Sequence, residues 1–318
     1  MSSALRHASR RASTVVAWGW SWTPTFSREL LIRGIMSQPD NGLPDEGCKG
    51  DGTMIEATRV RRGPLAVVEA GDPDAPVLVL LHGIGSSGDA FLGQVHDLAN
   101  RWRLLAPDAP GYGESDDPAD APGIDGFTDT VVGLLDDADV DRAVVLGVSW
   151  GGVIATRFAL RHPDRLRALV LADTSRGSGI DADQADMMRL RAEQYAAAPE
   201  AFVRDRTPLL VADDTPAEVV QQVAAIMSTA CRMPGYGHAA ASLAETDHAA
   251  DLGRIHAPTL VVVGEHDRVC PPSDSQFLAD GIPGAVYVEI SNTGHLPNQE
   301  RPDEFNRIVG DWLDGLPV

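Results

Sequence analysis

Cysteine is scarce in this sequence, with three residues among 318. Cys48, Cys231 and Cys270 lie at spacings that match neither a zinc site nor the disulfide framework of a small secreted protein. A chain of this length can instead bury a core large enough to fold without covalent cross-links. We therefore expect reduced thiols, a cytoplasmic location and no metal site.

Long apolar runs and basic residues are also in short supply. No stretch of 18 uninterrupted apolar residues occurs, so no membrane-spanning helix is expected. The chain has 46 acidic against 26 basic residues and a formal net charge of −20 at pH 7. Because this charge repels phosphate groups, the composition argues against nucleic acids and anionic membranes as partners.

The first 53 residues differ in composition from the rest of the chain. Residues 1–36 carry five arginines and one acidic residue, and Arg10 with Arg11 resembles a twin-arginine signal. A targeting peptide is not favoured, because no long apolar region and no small-residue cleavage site are present. We interpret residues 1–53 as a disordered or non-native extension. A start at Met36 and a targeting role stay open.

Apolar, β-branched runs recur along the remaining chain and predict strands. Most are continuous rather than alternating, which is typical of strands buried on both faces, and helical patterns separate them. The fold class is therefore α/β, a mostly parallel sheet flanked by helices, with a hairpin around Gly63 and Pro64 at its antiparallel edge. The predicted runs are Pro76–Leu81, Arg103–Ala106, Ala143–Val148, Leu169–Ala172, Leu260–Val263 and Val286–Ile290.

The strand pattern is interrupted between residues 178 and 251. Alanine, methionine, glutamine and acidic residues dominate there, with prolines that break the segment into short helices. This composition predicts a helical cap inserted into a core of residues 54–177 and 252–318. Met187, Met188 and Met227 are interpreted as helix packing, although methionines in a lid also form adaptable apolar pockets.

The segment GVSWGG, residues 147–152, follows the apolar run that ends at Val148. A strand that turns sharply into a helix needs glycine at close backbone approaches, and Gly147 and Gly151 supply it. The turn would present Ser149 at the carboxyl edge of the sheet, above the amino end of a helix that begins at Trp150. This context makes Ser149 the predicted nucleophile.

A serine nucleophile requires a base and an acid that orients the base. Asp267 follows the strand at residues 260–263, and His295 follows the strand at residues 286–290. The chain order Ser149, Asp267, His295 is that of one hydrolase fold. Asp173, which follows another strand, is a lower-ranked alternative acid. His82 is interpreted as a residue that holds its loop rather than as the base.

The segment LLHGIGSSG, residues 80–88, places a glycine-rich loop after another strand. Its position matches that of an oxyanion loop, so the backbone N–H groups of Ile84 and Trp150 are predicted to converge on the carbonyl oxygen of a bound substrate. The Trp150 indole either walls the acyl pocket or packs beside the turn. Asp108 is expected to brace its own turn through backbone hydrogen bonds.

Five segments together resemble the α/β-hydrolase superfamily over residues 55–316. They are LLHGIGSS, DAPGYGESD, GVSWGGVIATRFALRHPDRLRALVLADT, PTLVVVGEHDRVCPP and GHLPNQERPDEFN. The resemblance implies nucleophile Ser149, acid Asp267 and base His295, with oxyanion donors Ile84 and Trp150. Within the superfamily, the segment that begins GYGHAAASLAETDHAAD and the segment GHLPNQERP are similar to the 3-oxoadipate enol-lactonase-like group, which cleaves small esters or lactones.

Two departures from the superfamily's patterns narrow the expected chemistry. Ser149 stands where epoxide hydrolases and haloalkane dehalogenases have aspartate, which argues against both reactions. Leu296 replaces the tryptophan usual after the histidine in carbon–carbon bond hydrolases of the meta-cleavage type.

The expected function is hydrolysis of a small-molecule ester or lactone through an acyl-enzyme, with no cofactor. Carbon–carbon hydrolysis or perhydrolysis on the same triad remains an alternative, as does a ligand-binding protein without turnover. Arg232 and Tyr236 are weaker predictions for contact with a substrate carboxylate. The sequence gives no prediction of oligomeric state.

Overall fold

A computed structural model of the chain describes residues 56–316, which form eight strands and ten α-helices. The interpretation of residues 1–53, including Cys48, falls outside this range. The strands are β1 (Thr58–Arg62), β2 (Leu65–Ala70), β3 (Val77–Leu81), β4 (Arg103–Pro107), β5 (Ala143–Val148), β6 (Leu166–Ala172), β7 (Thr259–Gly264) and β8 (Val286–Ile290). The helices are α1 (Leu92–Leu98), α2 (Gly123–Asp137), α3 (Trp150–Arg161), α4 (Ala182–Ala197), α5 (Pro199–Arg206), α6 (Ala217–Ala230), α7 (Gly235–Ala244), α8 (Pro272–Gly281), α9 (Pro297–Glu300) and α10 (Pro302–Asp314).

All eight strands belong to one sheet in the order β1-β2-β4-β3-β5-β6-β7-β8. The hairpin partners β1 and β2 are antiparallel, and β2 also runs antiparallel to β4. Every remaining neighbour pair is parallel. The predicted α/β class with an antiparallel edge is therefore confirmed.

The central strands are buried along their length, as their continuous apolar runs predict. Every residue of β3, β5 and β7 is buried. Strand β6 begins at Leu166, three residues before the predicted start. Arg167 interrupts the apolar run in the sequence, although Leu166 and Ala168 on either side of it are buried. The edge strand β8 is more exposed.

Helices flank the sheet with their apolar sides turned inward. Helix α3 packs against β5 and β6, and α8 packs against β7 and β8. Helix α10 buries Phe305, Val309 and Leu313, which recur at the helical spacing of four residues, and it packs against α1. No helix in residues 56–316 has the length and apolar character that crossing a bilayer requires.

Four helices, α4 to α7, lie between β6 and β7, where the sequence predicts helices without strands. Helix α4 packs against α7, and α5 packs against α6. The division into a core and a cap at residues 178 and 251 stays our interpretation. Its position matters because the segment begins after the carboxyl end of β6, which is the neighbour of the strand that leads into Ser149.

Candidate active site

The turn from β5 into α3 is built around Ser149. Its backbone has φ 55° and ψ −121°, a left-handed conformation that residues with a Cβ atom rarely adopt. A Cβ atom on Gly147 would lie 2.2 Å from the Gly151 carbonyl oxygen, and one on Gly151 would lie 2.1 Å from the Leu81 carbonyl oxygen. Only glycine fits these two approaches, so the glycines fix the turn that holds Ser149.

The loop after β3 passes directly beside Ser149. A Cβ atom built on Gly83 would lie 3.7 Å from Ser149 Oγ, which leaves the next residue, Ile84, at the same edge of the site. Neither the Ile84 N–H nor the Trp150 N–H donates a hydrogen bond within residues 56–316. Backbone N–H groups without an intramolecular acceptor are the donor type that stabilises a developing oxyanion, so the assignment of Ile84 and Trp150 stays a prediction.

The side chains of Asp267 and His295 meet behind this loop. His295 Nδ1 donates to Asp267 Oδ2 over 2.8 Å, and both side chains are buried. The other carboxylate oxygen, Asp267 Oδ1, accepts from the backbone N–H groups of Val269 and Cys270 at 2.7 and 3.0 Å. Because Nδ1 holds the proton in this pair, Nε2 is left as the basic nitrogen of His295.

A cavity of about 310 Å3 connects these groups. Its wall includes Ser149, His295, Ile84 and Trp150, while Asp267 lies behind His295. No hydrogen bond joins the Ser149 and His295 side chains in the described part of the chain. Such contacts are commonly long before a substrate binds, so the shared cavity is the informative relation.

The alternative acid Asp173 lies beside the same pair. Asp173 Oδ1 accepts from the Gly264 N–H over 2.8 Å, whereas Oδ2 is buried without a hydrogen bond. Burial raises the pKa of the Asp173 carboxyl well above its ordinary value, and the charge of Asp267 raises it further. Burial and the neighbouring charge thus favour the neutral form of Asp173, and Asp267 is the carboxyl group that contacts the histidine.

Asp173, Asp267 and His295 place one potential metal ligand each within 4.8 Å of one another. Carboxylates and imidazole are ligand types that divalent cations accept. The hydrogen bond from His295 to Asp267 already pairs two of the three groups. We interpret the cluster as an acid–base pair with a neighbouring neutral carboxyl group.

His82 and Asp108 have the supporting positions that the sequence predicts. His82 Nδ1 donates to the Gly83 carbonyl over 2.8 Å and Nε2 accepts from the Ala109 N–H over 2.9 Å. Burial lowers the pKa of His82, which keeps this imidazole neutral. Asp108 accepts from the N–H groups of Gly88 and Glu114, so its carboxylate braces two loops.

The side chains of Trp150 and Arg232 both contact other parts of the described chain. The Trp150 indole N–H donates to Ser242 Oγ over 3.0 Å, and its ring packs edge-on against Phe127. The Arg232 guanidinium donates to Asp117 and to the backbone carbonyls of neighbouring loop residues, outside the cavity wall. Of the two residues predicted to contact a substrate carboxylate, Tyr236 lines the cavity and Arg232 does not.

Glu300 is a supporting residue that the sequence analysis missed. Its Oε1 atom accepts from the Gly294 N–H over 2.9 Å, next to His295. Its Oε2 atom accepts from the Ala212 N–H and from Thr215 Oγ1 at 2.8 and 2.7 Å. One carboxylate thus ties the histidine loop to the segment before α6, a contact over 80 residues that no local pattern reveals.

The chain matches a family model and is similar in sequence to known hydrolases. Residues 76–302 match the family model described as alpha/beta hydrolase fold. The chain is 29% identical over 241 residues to 3-oxoadipate enol-lactonase 2 of Acinetobacter baylyi, covering 75% of this chain and 89% of the relative. It is 32% identical over 263 residues to 2-hydroxymuconate semialdehyde hydrolase of Pseudomonas sp. strain CF600, covering 74% and 86%.

The structure is also similar to that of the enol-lactonase from Burkholderia xenovorans LB400. The TM-score is 0.72 at 26% sequence identity, and the match covers 81% of this chain and 100% of the other.

Replacing Gly151 with alanine tests the packing of the turn. The new methyl group would meet the Leu81 carbonyl, so we expect a loss of about 1–3 kcal/mol in the free energy of unfolding, measured by urea denaturation. Gly133 is the matched control, because it lies in helix α2 with open space around it. Alanine there should stabilise the protein by about 0.5–1 kcal/mol; equal effects at both positions would contradict the packing argument.

Replacing Asp173 with asparagine tests the charge state of that carboxyl group. The pKa of Asp173 is higher in the native state than in the unfolded chain, where it is about 3.9. The free energy of unfolding therefore decreases as the pH rises from the unfolded pKa through the native pKa. Asparagine keeps the acceptor for the Gly264 N–H and cannot ionise. The free energy of unfolding of Asp173→Asn, minus that of the native sequence, should therefore become more positive between pH 4 and pH 8.

Asp141→Asn is the control for this measurement, since Asp141 is exposed. Its difference from the native sequence should stay flat over the same pH range. A flat difference for Asp173→Asn as well would show that Asp173 ionises normally.

Proposed function

The chain belongs to the α/β-hydrolase family, and on this premise we propose that it is a serine hydrolase that cleaves a small carboxylic ester or lactone through an acyl-enzyme. The proposal rests on one observation above all. Ser149, held in a strained turn, opens on the same cavity as His295, whose imidazole is oriented by Asp267.

In the proposed first step, His295 Nε2 takes the proton of the Ser149 hydroxyl as the oxygen attacks the substrate carbonyl carbon. Asp267 keeps Nδ1 protonated and stabilises the imidazolium that forms. Two backbone N–H groups donate to Asp267 Oδ1, and they fix the orientation of the carboxylate toward the imidazole.

The charge that develops on the carbonyl oxygen is assigned to the N–H groups of Ile84 and Trp150. The amino end of helix α3 lies at Ser149 and adds its positive dipole. His295 then returns the proton to the leaving alcohol or enol. A water molecule activated by the same imidazole releases the acyl group in the second half of the reaction, and no cofactor takes part in either half.

The size of the cavity and the named relatives support a small substrate. A volume of about 310 Å3 is at the lower end of the range for small-molecule sites. Apolar side chains form much of the wall, including Met187, Met188 and Met227 from the helices between β6 and β7. Two of the similar proteins named above are enol-lactonases, which places a lactone among the first substrates to test.

A second candidate is hydrolysis of a carbon–carbon bond in a vinylogous diketone by the same groups. It is favoured by the relative named as a hydrolase of 2-hydroxymuconate semialdehyde, an unsaturated carbonyl compound. A panel of short-chain esters, lactones and diketones separates the two candidates, because each predicts the highest kcat/KM for its own class.

Ser149→Ala should lower kcat for p-nitrophenyl acetate by about 10^5- to 10^6-fold, because the variant has no nucleophile. A fluorophosphonate should label the native protein at Ser149, detected by mass spectrometry of the digested protein. Ser175→Ala is the matched control, since Ser175 also lines the cavity, and it should keep most of the activity. Label on another residue, or activity in Ser149→Ala, would exclude Ser149 as nucleophile.

Asp267→Asn should lower kcat by roughly 10^4-fold, because an amide at this position stops holding His295 in its productive tautomer. Asp173→Asn provides the comparison, because Asp173 is the other buried carboxyl group beside the pair. The steady-state rates of the two variants decide between them. A larger loss in Asp173→Asn than in Asp267→Asn would reassign the acid.

A further inference from the structure

Two arginines in the cavity wall have no hydrogen-bond or ion-pair partner in the part of the chain that the structure describes. Arg191 lies on α4 and Arg206 at the end of α5, and both are half-buried and line the cavity that contains Ser149. Neither guanidinium donates a hydrogen bond or forms an ion pair within residues 56–316.

The rest of the described chain shows how unusual this is. Residues 56–316 contain no lysine, so arginines are their permanently charged cations. Each of the other arginines in that range bonds or pairs with a carboxylate or backbone carbonyl, except Arg167, which lies over the Trp102 ring. Because acidic residues outnumber basic ones in this protein, two arginines in one cavity wall that pair with none of the described carboxylates point to an anionic ligand.

The charges of Arg191 and Arg206 influence each other's neighbourhood, as the pKa values of Arg206 and Tyr236 indicate. Burial, together with the positive charge of Arg191, lowers the pKa of Arg206 to about 10. Both arginines also lower the pKa of the Tyr236 hydroxyl, which burial raises. Two like charges that are partly removed from water repel each other, and an anion placed between them relieves both costs.

Two acidic residues near the arginine pair, Asp267 and Asp274, interact with other groups. Asp267 is bonded to His295 and to two backbone N–H groups. Asp274 also lines the cavity, and the cation that acts on it is Arg176 rather than Arg191 or Arg206. Within residues 56–316, no carboxylate therefore forms an ion pair with either arginine, and the negative charge of Asp267, which acts on Arg206, is already shared with His295.

We propose that Arg191 and Arg206 form a carboxylate-binding subsite, and that the substrate is an ester or lactone carrying a carboxylate at the end remote from the scissile bond. The planar guanidinium fork matches a carboxylate with two parallel hydrogen bonds. This inference rests on the proposed function, because the bound anion belongs to the molecule that Ser149 attacks.

A pair of matched esters tests the subsite. The p-nitrophenyl monoester of glutaric acid and p-nitrophenyl valerate share the leaving group and chain length, and differ in a terminal carboxylate against a methyl group. We expect kcat/KM for the glutarate ester to exceed that for valerate by about 10- to 100-fold, the range for hydrogen bonds to a charged group.

Arg206→Gln and Arg191→Gln should each lower this ratio by about tenfold or more, mainly through a higher KM for the anionic ester, and Arg206→Lys should restore part of it. Arg204→Gln and Arg189→Gln are matched controls on the same two helices. Both of these arginines are exposed and paired with Asp205 and Asp186, so the ratio should stay near the native value.

The outcomes separate the two proposals. Turnover of both esters with a ratio near one, or with a ratio that Arg206→Gln and Arg191→Gln leave unchanged, overturns the subsite and leaves the proposed hydrolase intact. If neither ester is cleaved, calorimetric titration of glutarate into the Ser149→Ala protein decides. Binding that weakens about tenfold with Arg206→Gln in that background supports the subsite, and the absence of binding overturns it.

Discussion

The close backbone packing at Gly147 and Gly151 is the constraint on which the site depends. Strand β5 ends and helix α3 begins within the space of one residue, because the carbonyls of Leu81 and Gly151 occupy the positions of the missing Cβ atoms. The turn leaves Ser149 at φ 55°, and the N–H of Trp150, the first residue of α3, has no hydrogen-bond acceptor within residues 56–316. The core strands hold this geometry, since β5 pairs with a buried neighbour on each side.

A second feature is the arrangement of acidic groups around His295. Asp267 is shared between two backbone donors and the imidazole, whereas burial and the neighbouring charge raise the pKa of the Asp173 carboxyl. Glu300 accepts hydrogen bonds from the histidine loop and from the segment before α6, and so ties the two together. Three carboxyl groups thus have three roles, which are set by burial and by the donors that each one meets.

The helices between β6 and β7 give the cavity its character. They contribute apolar side chains, including methionines, and they also contribute Arg191 and Arg206. An overall charge of −20 opposes the approach of an anion. Arg191 and Arg206 place two positive charges in the cavity wall, so under our proposal the selection of an anionic substrate is a property of this cavity rather than of the whole surface.

Local sequence determined much of the fold and of the proposed chemistry. Continuous apolar runs predicted the buried strands, and Ser149, Asp267 and His295 were found because each follows such a strand at the same edge of a parallel sheet. Only the tertiary structure decided which arginines have hydrogen-bond partners. Arg232 and Arg206 carry the same side chain, but Arg232 bonds to residues more than 100 positions away in the chain. It also decided the state of Asp173 and the reach of Glu300. Strand and turn signals depend on neighbouring residues, whereas pairing and ionisation depend on atoms brought together from distant segments.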